Sequence, residues 1–250
     1  MKQEKKYLPD FYGMSVLARK ELLSYFISPA FYGAAVFFLV FCSVRLFYFQ
    51  QFFAMNNASL RPFFSTFPTV FIIVIPVLTM KIWAEERKTG SIEMLLTMPL
   101  SEWSLVLGKF AAAYTAFIMI LVMTIPLPVS LFPLGEFDYG VIFSEYFGAL
   151  LMGASAVSLG LLLSSLSKSQ AGSFLGSMGV MLLVMMGSQF ALTANLPYRI
   201  IRMINFFSLS FHFDSFTIGV IDSRNVVFFT VSTAVFLFIT TRIILFRKWR

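Results

Sequence analysis

The side chains of this chain that can do polar chemistry gather in one segment, Trp83 to Pro99, which holds Glu85, Glu86, Arg87, Lys88, Thr89, Gly90, Ser91 and Glu93. Acids come first and bases follow, and Thr89-Gly90-Ser91 then makes a break with helix-starting side chains. Ser91 is placed to cap a short helix with Glu93 in its first turn, where a negative charge meets the positive end of the helix dipole. Ile92, Leu95 and Leu96 fall on one face of that helix and Pro99 stops it, so the spacing predicts about two turns lying parallel to a membrane surface. Polar ends with an apolar face suit docking against a partner. A solvated, salt-bridged turn with no partner fits the same residues.

Other reactive side chains are isolated. Cys42 is the only cysteine, so it forms no internal disulfide and no metal cluster. His212 is the only histidine and stands among phenylalanines, where it reads as an interfacial hydrogen-bonding residue. The 14 methionines are scattered and serve as core filler. No metal site is expected. The chain carries no GxxxxGK[ST] loop and no polar stretch long enough for a nucleotide-hydrolysing domain.

The elements that must hold the polar segment are apolar. Of 250 residues 58% are hydrophobic and 12% charged, with a mean hydropathy of +0.83, against about 25% charged residues in soluble domains. A membrane span needs about 20 apolar residues. Windows of that kind run near Ala30–Phe49, Phe63–Trp83, Leu105–Phe132, Val141–Leu166, Ala171–Leu192 and Val226–Phe246. They lack the alternation of a membrane barrel, and backbone groups in lipid must be satisfied internally, so helices are predicted. The expected fold is an all-α, polytopic bundle of six transmembrane helices. Its parts are a cytosolic or interfacial helix in 1–29, spans 1 and 2 in 30–83, a cytosolic loop in 84–101, spans 3 to 5 in 102–192, an outer loop in 193–225, and span 6 with a cytosolic tail in 226–250. The first window is longer than the apolar core of a signal peptide and has no clear cleavage site, so the N-terminus is expected to stay.

Six spans put both termini on one side. Lys2, Lys5, Lys6, Arg19, Lys20, Arg247, Lys248 and Arg250 make that side cytosolic by the positive-inside rule. Only Arg45, Arg61, Arg199, Arg202 and Arg224, of 19 basic residues, then fall outside or near the outer boundary. The basic charge sits on short membrane flanks, where it sets topology and meets anionic lipid, so no nucleic-acid binding is expected.

Phe11 to Ile27 carries a helical stripe of Met14, Leu17, Ala18, Leu22, Tyr25 and Phe26 among charges, ending at Ser28-Pro29, and is predicted to lie in the interface. Pro68 and Pro76 in span 2, with Pro126 and Pro128 in span 3, are expected to kink their helices. Gly148, Gly153 and Gly160, with Gly172, Gly176 and Gly179, predict close packing of spans 4 and 5. The Ser164 to Gln170 turn, with Ser167 and Lys168, forms a second inner loop. The apolar outer loop, with His212, Asp214, Asp222 and Arg224, is expected to dip into the outer interface.

Four stretches carry a family likeness: Leu17-Ala18-Arg19-Lys20-Glu21-Leu22; Glu85 through Pro99 with Leu107-Gly108-Lys109-Phe110; Ser164-Ser165-Leu166-Ser167; and Phe211 to Phe216 with Gly219 to Arg224. On these the chain resembles permease subunits of the ABC-2 superfamily, and more narrowly their gliding-motility and nitrous-oxide-reductase-maturation type. The resemblance implies a transport subunit of the bacterial inner membrane that is not itself an enzyme. It implies pairing with a second copy or a related permease, two cytosolic ATPase subunits that bind the ATP and Mg, contact with membrane lipid, and a possible periplasmic protein. It also implies that the loop after span 2 is a coupling helix, with Glu85, Glu86, Arg87, Lys88, Thr89, Gly90 and Glu93 contacting or shaping the ATPase junction and Ser167 and Lys168 adding a second contact. An integral-membrane enzyme or an ion-coupled carrier is the competing reading. Either needs polar groups converging within the spans, where there are almost none, and Glu145 and Arg45 sit near span ends.

Overall fold

The computed structural model describes residues 11–49, 59–91, 101–135, 137–193 and 197–248. Every regular element among them is helical. In chain order these are α1 (Phe11–Ile27), α2 (Pro29–Val44) continued by a π-helical turn (Arg45–Phe49), α3 (Arg61–Phe64), α4 (Phe67–Thr79), α5 (Ala84–Thr89), α6 (Glu102–Val122), α7 (Pro126–Leu131), α8 (Tyr139–Leu166), α9 (Gln170–Thr193), α10 (Tyr198–Phe207), α11 (Leu209–Phe213) and α12 (Ser223–Lys248). Six stretches are long and apolar enough to cross a membrane: Pro29–Phe49, Arg61–Thr89, Glu102–Leu131, Tyr139–Leu166, Gln170–Phe190 and Ser223–Phe246. The chain is a multi-pass membrane protein.

Spans 2 and 4 form the centre. Their apolar windows are 72% and 67% buried within the chain, against 28% for spans 5 and 6, whose outer faces are left for lipid or another chain. Phe71 of span 2 meets Phe117 of span 3 edge-on at 5.1 Å between ring centres, and Phe64 meets Tyr146 of span 4 at 4.9 Å. Such offset geometries add to the burial of the rings themselves. Ser155 of span 4 and Ser232 of span 6 share a hydrogen bond at 2.7 Å, a polar clip between helices.

The prolines divide helices more than they bend them. Pro68 opens α4 and Pro126 opens α7, positions where a missing N–H costs nothing because the first turn has no intrahelical acceptor. Spans 2 and 3 are therefore each built from separate helical pieces, with turns at Ser65-Thr66 and Met123–Ile125. Pro76 alone stands inside its helix, three residues before α4 ends.

The glycines also divide. A side chain on Gly148, Gly153 or Gly160 of span 4 would overlap Phe216, Phe117 or Thr79, so these three are where neighbours come close. Gly176 and Gly179 of span 5 face open space and Gly172 meets only Ser169, so this GxxxG face does not mediate packing within the chain.

Candidate functional site

The polar segment begins as helix α5, and Gly90 ends it. Gly90 has φ +73°, a left-handed conformation that glycine adopts without penalty at a helix C-terminus. The expected helix from Ser91 to Pro99, with Glu93, lies outside the described residues beyond Ser91 itself.

Two adjacent side chains of α5 reach inward. Glu86 Oε1 accepts a hydrogen bond from Lys109 Nζ at 2.6 Å, and the same ammonium donates to Glu21 Oε1 of α1 at 2.9 Å and to the Ile82 carbonyl at 3.1 Å. Lys109 is 1% exposed. A buried ammonium is tolerable only when its donors are satisfied, and these three acceptors, from α1, from the turn after α4 and from α5, use all of them. The ammonium also lies 4.9 Å from the centre of the buried Trp83 ring. One cation on the third turn of α6 thus fastens α1, the end of span 2 and the polar segment together.

Arg87 reaches the opposite way. Its guanidinium donates to the Ser165 carbonyl at 3.2 Å and the Ser167 carbonyl at 2.5 Å. These carbonyls end span 4, where α8 has no further intrahelical donors and its dipole is negative, so a cation there satisfies both. Ser164 Oγ accepts from the Trp83 N–H at 3.3 Å and donates to the Met80 carbonyl at 3.4 Å, closing the same junction. The loops after spans 2 and 4 therefore form one brace.

Helix α1 completes it. Leu17 is buried and sits against Gly108, where an added Cβ would come within 3.2 Å of Leu17 Cδ2. The Tyr25 hydroxyl donates to the Leu78 carbonyl at 2.7 Å. Burial, with Glu21 adding to it, pushes that phenol well above its ordinary range, so it stays a donor. Glu85, Lys88, Thr89 and Gly90 remain exposed on the outer side of the brace, beside exposed Lys168 and half-buried Ser167.

Residues 15–248 match the family described as ABC-2 family transporter protein, nearly the whole chain. The chain belongs to the ABC-2 transporter family. Over 113 residues, 43% of its length, this ABC-2 chain is 30% identical to the probable multidrug ABC transporter permease YbhR of Escherichia coli K12, and equally to that of Escherichia coli O157:H7. The aligned part spans 28% of those relatives' own length.

Among the residues singled out from sequence, the structure joins Glu86, Arg87 and Ser167 and leaves Glu85, Lys88, Thr89, Gly90 and Lys168 facing out. Lys109 is the partner of Glu86, and the same ammonium holds Glu21; in the sequence both stand in family-like stretches. A single lysine in the first turns of an apolar span was the available signal, since such a charge needs a partner.

At the other end of the ABC-2 chain the outer residues hold a fold together. One ring nitrogen of His212 is 2.7 Å from Asn225 Oδ1, the other is 3.2 Å from the Phe206 carbonyl, and the ring stacks on Phe228 at 3.8 Å. Asp222 Oδ1 accepts the Arg224 N–H at 2.8 Å and caps the start of α12. Asp214 is exposed, on the short stretch between α11 and Phe216. Phe213 and Phe216 are fully buried, so the outer segment folds back into the bundle, while α10 with no buried residue lies on its surface.

Proposed function

We propose that this chain is the permease subunit of an ATP-driven ABC transporter, an exporter or envelope machine, set in motion by a separate ATPase that holds the ATP and Mg. The observation that carries this reading is the brace. Glu86 and Arg87 lock α5 to α1, span 3 and span 4, and Glu85, Lys88 and Thr89 stay free to meet a partner. A push on α5 is shared by four elements at once, as rigid-body switching of a bundle requires.

In this reading the brace lies on the cytosolic face of a bacterial inner membrane, with both termini on that side. The permease works with a second copy or a related permease, and the open glycine face of span 5 is a surface a neighbouring helix can approach closely. The outer segment is the place for a periplasmic partner. The His212 and Asp214 stretch supports the finer placement in the gliding-motility and nitrous-oxide-reductase-maturation type. The name of the relative offers multidrug export as a cargo class to test.

Reversing both exposed charges, Glu85→Lys with Lys88→Glu, tests the junction without touching the brace. The doubly reversed permease should insert normally, and its ATPase should co-purify about tenfold less well, the effect of roughly 1.4 kcal/mol. Normal co-purification and normal ATP turnover would overturn the assignment.

A further inference from the structure

Between α1 and the inner ends of spans 1 and 2 runs a cleft that the transport reading touches only at Glu85. Its deeper part, of about 210 Å³, is walled by Tyr25, Phe31, Val77 and Leu78, and it continues into a shallow, open groove of about 750 Å³ along α1. Cavities of about 300–1,000 Å³ commonly hold small molecules.

The rim is cationic. Arg19 and Lys20 project from the exposed face of α1, and Lys81 stands opposite at the end of span 2, its Nζ donating to Ser28 Oγ at 3.2 Å. Glu85 is the opposing acid on the same groove. Glu21 and Glu86, which line the inner part, are both engaged by Lys109. Lys109 offsets one of these two negative charges; the other, with Glu85, stands against Arg19, Lys20 and Lys81, so the groove keeps an excess of one positive charge.

The walls beside these cations are aliphatic and uncovered. Val16 is 53% exposed, Leu23 55% and Ile27 83%. On a helix at the membrane boundary, aliphatic side chains interleaved with basic ones match a molecule that is anionic at its head and apolar behind it.

We propose that this cleft binds one anionic phospholipid of the leaflet at this end of the bundle, with Arg19, Lys20 and Lys81 on its phosphate and Val16, Leu23 and Ile27 beside its acyl chains. A soluble phosphate would satisfy the cations but would leave the aliphatic wall bare. The bound lipid becomes a wedge between α1 and span 2, two of the elements that Lys109 joins. The inference rests on the membrane reading of the chain and not on its coupling to an ATPase.

The test uses the purified full chain in nanodiscs that mix phosphatidylglycerol with phosphatidylcholine of the same acyl composition, and counts lipids retained after detergent extraction. Wild-type protein should keep phosphatidylglycerol in preference. Each of Arg19→Gln, Lys20→Gln and Lys81→Gln should weaken retention by about fivefold, as expected for one basic residue near an anionic surface. Glu85→Gln should raise retention, a gain that misfolding does not produce. Arg199→Gln with Arg202→Gln, which removes cations on α10, should change nothing. If the α1 variants do not insert, Lys81→Gln alone is read in the same way. Equal retention by wild type and the α1 and Lys81 variants overturns the proposal, as does equal loss in the α10 control. Release of the lipid by millimolar inorganic phosphate also overturns it, in favour of a soluble anion. Retained lipid with lost ATPase association assigns Arg19, Lys20 and Lys81 to the ATPase junction instead, and so overturns the lipid site while leaving the transport reading intact.

Discussion

The two ends of the bundle are built by different physics. At the end carrying α5, polar groups make the connections: Lys109 with Glu21 and Glu86, Arg87 with the end of span 4, and Tyr25 with Leu78. At the other end rings do most of the work, with Phe213, Phe216 and Phe229 buried and His212 stacked on Phe228. Ion pairs and charged hydrogen bonds are directional and hold elements in one geometry, while apolar contacts tolerate sliding so long as volume is conserved. The two ends are thus held by different kinds of contact, a division that mutation can break.

The largest effect is expected at Lys109. Lys109→Ala removes the ammonium and leaves Glu21 and Glu86, both mostly buried, as unpaired acids. Breaking a buried ion pair from one side costs about 3–5 kcal/mol. The variant should melt well below wild type in detergent, and α1 should become open to protease at Arg19 and Lys20. Lys109→Ala combined with Glu21→Gln and Glu86→Gln should recover most of that loss, because no charge is then stranded. A single variant as stable as wild type would remove the brace as a structural unit.

A smaller effect is expected at the aromatic end. A Cβ at Gly148 would lie 2.5 Å from Phe216 Cγ, so Gly148→Ala forces the outer segment away from span 4. Overpacking of this kind costs about 1–3 kcal/mol. The loss should be read as a lower melting temperature and as faster labelling of a cysteine placed at Ile218, with the Lys109 end unaffected. Cleavage appearing in α1 of this variant would show that the two ends are coupled and would erase the contrast.

The spans were legible in the sequence because hydrophobicity over about 20 residues is a local property. The helix Phe11–Ile27 was legible from its own stripe of apolar residues and the stop at Ser28-Pro29, and so was the break at Thr89-Gly90-Ser91, where Gly90 takes the left-handed conformation. What Glu86 and Arg87 do was not. Their partners lie 23 and 80 residues away, and only the packing of α1 and span 4 brings them to α5. The family resemblance implies that both contact or shape an ATPase junction, and the folded chain adds that each also bonds within it. The glycines show the same limit, since the sequence marks the three of span 4 and the three of span 5 alike, and only tertiary structure separates the crowded Gly148, Gly153 and Gly160 from the open face of span 5.

The smallest effect concerns Glu145, the one place where the aromatic end holds a charge-bearing side chain in its interior. Glu145 is fully buried in span 4, and neither carboxylate oxygen has a hydrogen-bond partner. Arg61, at the start of span 2, is the cation that acts on it, without reaching ion-pair distance. A carboxyl group with no donors contributes no directional bond, so its removal takes nothing away that holds the helices together. Glu145→Gln should therefore change stability by less than about 1 kcal/mol, and Glu145→Met, which replaces the group by an apolar side chain of similar volume, should be neutral or stabilising. Thermal unfolding of both variants beside Lys109→Ala makes the comparison direct. A loss at Glu145 as large as the loss at Lys109 would mean that the outer end, too, is held by ion pairing, and the division of labour between the two ends would fall.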